Sequence, residues 1–166
     1  FTAKAVDGAT GFSALSVEWQ ALFETVEEAS WLRDPQAFHI WERQLRPKGG
    51  TLIIEVRDQT GHLRGIMPLM RDLAWRGPAA APRYDYDPQD RNLIVKRRVR
   101  PIPVRQLTVV GSHPATTLWV SPLCRSDDKR AVQLAVTGAI MGLSGWDVTV
   151  LPAMEGEEEL DWRDAF

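Results

Sequence analysis

One cysteine, Cys124, stands in a chain of 166 residues, so no disulfide can form within it. The fold must rest on packing and hydrogen bonds, and the usage fits a reducing compartment, which makes the cytoplasm the expected location. No run of about 18 apolar residues occurs, so no membrane-spanning helix is expected. An excess of one charge is also lacking: 20 Lys and Arg stand against 22 Asp and Glu, a formal net charge of -2. A nucleic-acid surface is usually basic overall, so nucleic acid is disfavoured as a partner. Histidine is scarce. His39, His62 and His113 share no spacing with cysteine or carboxylates that would hold a metal, so none is expected.

What the chain does have is apolar content, at 44%, and seven tryptophans, enough for one domain with a core of its own. The segment 50–69, GTLIIEVRDQTGHLRGIMPL, is the most informative. Thr51 to Arg57 reads as a strand buried on both faces, and Asp58-Gln59-Thr60-Gly61 as a turn in which Gly61 takes positive φ. His62 to Met70 is the returning strand. Pro68 lies inside it and cannot donate a ladder bond, so it belongs at a bulge or on an unpaired side.

Upstream, residues 1–12 read as a lead-in with at most one short strand, and residues 13–166 as a single domain. Ser13 or Ser16 is a candidate cap for a first helix running to about Ala29, with Val17, Leu22 and Val26 beside Trp19 and Phe23 as its apolar stripe. Asp34-Pro35 opens a second helix, with Phe38, Trp41 and Leu45 on one face. Downstream, prolines 78, 82 and 88 break a long loop, and extended segments are expected at 93–99, 104–110 and 116–120. Ser126 starts a long helix through about Leu143, and a strand follows at 146–151. The acidic segment 155–164 ends the chain, with a final helix expected there. The order of elements predicts an α/β fold: a mixed, mostly antiparallel sheet with helices on both faces.

The candidate site residues are few. Arg91, Lys96, Arg97, Arg98, Arg100 and Arg105 form a cationic cluster that is either a seat for phosphate or a solvated hairpin paired with Asp85, Asp87 and Asp90. Tyr84 and Tyr86 lie just upstream, but no aromatic interleaves the cluster as a stacking surface for single strands requires. His113, in a Gly-Ser-His-Pro turn after a strand, is a candidate base, whereas His39 and His62 read as structural. Cys124 lies before a helix start, where a dipole lowers a thiol pKa, or is buried and inert. Asp58 and Asp147 do not by themselves make a glycosidase pair, because that chemistry requires two carboxylates at a set gap. No catalytic or cofactor-binding residue can be assigned from these patterns.

Taken together, SVEWQALFETV, DPQAFHIWERQL, TLIIEVRDQTGHLRGIMPLMRD, RQLTVVG and WDVTVLPAME resemble the amino-terminal half of the CelD/BcsL-like acetyltransferases, members of the GNAT superfamily. The likeness covers roughly Val17 to Ala153, with a divergent middle. It implies a GNAT-like fold and a bacterial protein linked to cellulose or exopolysaccharide production. It further implies transfer of an acyl group from acetyl-CoA or another acyl-CoA to an amine or hydroxyl. The implied donor site lies mainly in a later, carboxy-terminal half, which, with a homo-oligomer, is the expected partner. The superfamily's signature, Arg or Gln, two residues, Gly, one residue, then Gly or Ala, cradles the pyrophosphate at a helix start. The nearest helix here, RAVQLAVTGAIMG, carries Gly138 and Gly142 too late for that, so no cofactor is read from this segment. The alternative is a non-catalytic GNAT-like interaction or oligomerisation module. A minor third reading is action on aminoacyl-tRNA, as in related peptidoglycan-building transferases, supported by the basic cluster alone.

Overall fold

The computed structural model describes residues 1–26, 29, 31–45, 50–76, 102–110 and 121–150. They form β1 (Thr2–Asp7), α1 (Gly8–Thr25), α2 (Pro35–Leu45), β2 (Thr51–Arg57), β3 (Leu63–Arg76), β4 (Ile102–Val109), β5 (Leu123–Cys124), α3 (Lys129–Gly142) and β6 (Val148–Val150). The strands make one sheet in the order β1-β2-β3-β4-β6, with β5 also paired to β3. Neighbours are antiparallel except β4 and β6, which run parallel and are joined through β5 and α3. The expected mixed, mostly antiparallel sheet is therefore present, with helices on both of its faces.

Alternation along β2 divides the core. Leu52, Ile54 and Val56 meet α3 through Val132, Val136 and Ile140. Ile53 points the other way, into Leu15, Trp19 and Leu22 of α1 and Phe38 of α2. A strand covered on both faces has no polar position to spare, which is why LIIEV is nearly continuous in apolar residues. Trp19 fills the centre of the second layer at 1% exposure, and its indole N–H donates to the Arg33 carbonyl at 2.9 Å. The apolar stripe of α1 is thus Leu15, Trp19 and Leu22. Val17, expected within it, is 81% exposed.

The amino-terminal residues hold one short strand, the most expected there, and the first helix starts earlier than expected. Thr2–Asp7 is a full edge strand, and Ala3 and Ala5 pack on the α3 side of the core. The first helix begins at Gly8, five residues before Ser13, because Asp7 caps it: its carboxylate accepts from the Thr10 amide at 3.2 Å. That helix ends at Thr25, short of Ala29. At α2 the expected start holds, with Asp34 accepting from the Gln36 amide at 2.7 Å.

Two features of β3 fix where α3 sits. Val56 pairs with Gly65 and Arg57 with Leu63, so Arg64 is an extra, bulged residue. Gly65 is buried, and a β-carbon there would collide with the Val132 side chain, so α3 packs on bare backbone. Further along, β3 pairs with β5 at Gly65 and Ile66 and with β4 from Leu69 onward. Pro68 lies where one partner gives way to the other. It stands opposite Ile53 in β2, and its carbonyl accepts from Val110. The segments 93–99, 116–120 and 155–164 lie outside the described residues.

Candidate functional site

Most of the cationic cluster (Arg91, Lys96, Arg97, Arg98, Arg100), with Tyr84, Tyr86 and His113, lies outside the described residues. Arg105 is within them, and it is engaged. Its backbone N–H and guanidinium Nε donate to Asp147 Oδ2 at 2.8 and 3.1 Å, and Nη2 donates to Oδ1 at 2.6 Å. The Asp147 amide in turn donates to the Arg105 carbonyl at 2.7 Å. This bracket pins the entry of β6 to β4, and the Arg105 guanidinium holds the Asp147 carboxyl down to about 2. Neither member is a spare charge for a ligand.

Cys124 is buried on β5, and burial pushes its thiol up to about 11. It behaves as a core residue; any lowering by the helix start is outweighed by desolvation. His39 stacks on the Phe12 ring, with centroids 4.8 Å apart and planes at 12°, a packing role. Asp58 and Asp147 are claimed separately, by Arg64 and Arg105, and do not act as a pair.

The densest polar constellation among the described residues is the tip of the β2–β3 hairpin. Asp58 Oδ1 accepts from the Thr60 amide at 2.9 Å, the Thr60 hydroxyl at 2.6 Å and the His62 amide at 3.0 Å. Oδ2 accepts from Arg64 Nε at 2.8 Å. The Thr60 hydroxyl and Arg64 are the main reasons that the Asp58 carboxyl lies far below its usual range. Gly61 closes the turn at φ +86°, a left-handed conformation that favours glycine. The bulge at Arg64 aims its guanidinium at Asp58 and brings it 3.8 Å from Asp128, just before α3.

Arg57 braces the same hairpin against α1. Its Nη1 and Nη2 donate to the two oxygens of Glu18 at 2.7 and 3.0 Å, Nη1 also reaches the Gly61 carbonyl, and Nε donates to Glu55. Glu18 is held by Arg57, whose hydrogen bond lowers its pKa. The proton positions at the tip follow from the donor inventory. An ionised Asp58 only accepts, so the single Thr60 hydroxyl proton goes to it. Thr60 Oγ1 must then accept from His62 Nδ1, 2.7 Å away, which fixes the orientation of an exposed ring. The arrangement orients a surface imidazole. Asp58 and His62 stand out singly in the sequence, and the turn joins them through Thr60.

The start of α3 bears on acyl-CoA. The residues before it, Ser126–Asp128, form a 3-10 turn with Asp127 and Asp128 at its acidic end and no glycine. Gly138 falls within α3 and Gly142 at its last position. A pyrophosphate there would meet two carboxylates instead of a bare amide cradle. Among the described residues no three His, Cys, Asp or Glu side chains cluster to hold a metal ion, and no helix is long and apolar enough to cross a membrane. The chain matches no protein-family model, no curated protein and no solved structure.

Proposed function

We propose that this chain is an acetyltransferase-like, GNAT-like domain of a cytoplasmic bacterial protein linked to polysaccharide production, and that it supplies scaffold and acceptor-side surface. The complete protein would move an acyl group from acyl-CoA to an amine or hydroxyl, the thioester C–S bond breaking as the new C–N or C–O bond forms. The observation that carries this reading is the β4–β6 pair. It is the one parallel pair among the described strands, reached through α3 and paired in register over Gln106–Thr108 and Val148–Val150, and the superfamily resemblance would seat a donor where such a pair parts. The carboxylates of Asp127 and Asp128 at the start of α3 argue that the pyrophosphate is held elsewhere, by a later half of the protein.

Those same carboxylates favour a second reading, a non-catalytic module that docks a partner or a second copy. Deleting the gene and measuring the amount and acyl content of secreted polysaccharide tests the biological link. A loss restored by the intact gene supports the proposal, and an unchanged polymer overturns it. Restoration by a protein lacking acyl-CoA binding would select the non-catalytic reading.

A further inference from the structure

The face of α3 that meets the sheet is apolar at Val132, Val136 and Ile140, all fully buried, yet the same helix buries two polar side chains. Gln133 is 1% exposed and Thr137 4% exposed. Neither the amide oxygen nor the amide nitrogen of Gln133 has a hydrogen-bond partner, and neither has the Thr137 hydroxyl, which does not fold back on its own helix. The two residues are four apart, so their side chains leave the helix as neighbours. Thr149 on β6 also has a buried, unpaired hydroxyl. It stands opposite Leu107, a residue of the α3-side core, and so lies on the same side of the sheet. Burying hydrogen-bonding groups without partners is among the costlier single-residue events in folding, and native proteins pair such groups with protein or with ordered water.

We propose that Gln133 and Thr137 hold a buried water beneath α3, bridging the amide and the hydroxyl. The guest must be neutral: among the described residues the buried polar side chains are Thr51, Thr108, Gln133 and Thr137, and no buried charge is present to balance an ion. It must also donate and accept at once, because the amide offers both functions and the hydroxyl either. Water meets both requirements and fits the usual pattern of buried waters bonded to two or more polar groups. The Thr108 hydroxyl is buried and unpaired too. It points to the opposite face from Leu107 and Val109, which makes it an internal control.

The test uses the full chain with Gln133→Met, Thr137→Val and their combination, measured by denaturant and thermal unfolding, beside Thr108→Val combined with Gln133→Met. Each of the first two is expected to lower the melting temperature by about 2–4 °C. The pair should lower it by clearly less than the sum, because both remove one water, whereas the Thr108 combination should add. A rise in stability for Gln133→Met, or additivity of the Gln133 and Thr137 changes, overturns the proposal. Water-to-amide magnetisation transfer at the Gln133 side chain of the unaltered protein gives a readout independent of variant folding. A long-lived water contact supports the seat, and its absence, or a crystal structure with a protein group in that place, overturns it.

Discussion

Gly65→Ala is the sharpest test of how α3 is seated. The new β-carbon would meet the Val132 side chain, and neither group can swing away, since Gly65 lies in the sheet and Val132 is fully buried. An extra methyl in a packed interior costs about 1–3 kcal/mol. Against this, replacing glycine restricts the unfolded chain and returns about 0.4–1 kcal/mol. A net loss of about 1–2 kcal/mol follows, which for a chain of this size is a fall in Tm of roughly 2–8 °C. Val132→Ala alone removes two buried methyls and should cost about 2–3 kcal/mol, transfer and cavity together. In the double variant, the methyl added at position 65 enters the space that Val132 leaves. That variant should therefore be more stable than the sum of the two losses by about 1–2 kcal/mol. Urea denaturation of the four proteins closes this cycle. A neutral Gly65→Ala, or strict additivity, would show that α3 does not rest on bare backbone at this point.

Other consequences are simpler to check. Trp19→Phe should destabilise by about 2–3 kcal/mol, from lost ring volume and the unmade bond to the Arg33 carbonyl, as read by the urea midpoint. With its thiol near 11, Cys124 should have a thiolate fraction of about 1 in 10,000 at pH 7 and react with iodoacetamide only after unfolding. Fast alkylation of the native chain would contradict its burial. Asp147 is depressed from 3.8 to about 2, so its pairing contributes stability that is fully present above pH 4 and is lost as pH falls toward 2. Thermal melts across that window should show a shallower acid loss for Arg105→Met than for the unaltered chain, and equal slopes would refute the bracket.

Signals in the sequence are legible where local chemistry decides. Thr51–Arg57, the positive φ of Gly61 and the Asp34-Pro35 start all rest on a few adjacent residues, and the structure has them in place. Residues 1–12 are less legible, because what makes them structure is distant. Ala3 and Ala5 are small since α3 packs above them, and Gly11 lies against Val6 and Ile53, so a run of small residues that looks like a lead-in is an edge strand and the opening of a helix. Val17 is misplaced by periodicity because several helical phases fit α1, and the one led by Trp19 is selected by distant partners, Ile53 and Ile66 in the sheet and Phe38 in α2. At the hairpin tip, Asp58 and His62 are visible individually, but their connection through Thr60 depends on a turn geometry that spacing does not specify. The lack of a glycine cradle at the start of α3 is legible outright, because a pyrophosphate loop is a local motif.

On the proposal that this chain is an acetyltransferase-like scaffold with no donor site at the start of α3, it should not bind the donor by itself. Calorimetric titration of the chain with acetyl-CoA, with intact mass measured on the same sample, puts this to the test. No saturable heat is expected at micromolar concentrations from a folded chain of the expected mass. Saturable micromolar binding that tightens on Asp128→Lys, as removal of a carboxylate beside a pyrophosphate would make it do, would place the donor at that helix start and contradict the reading.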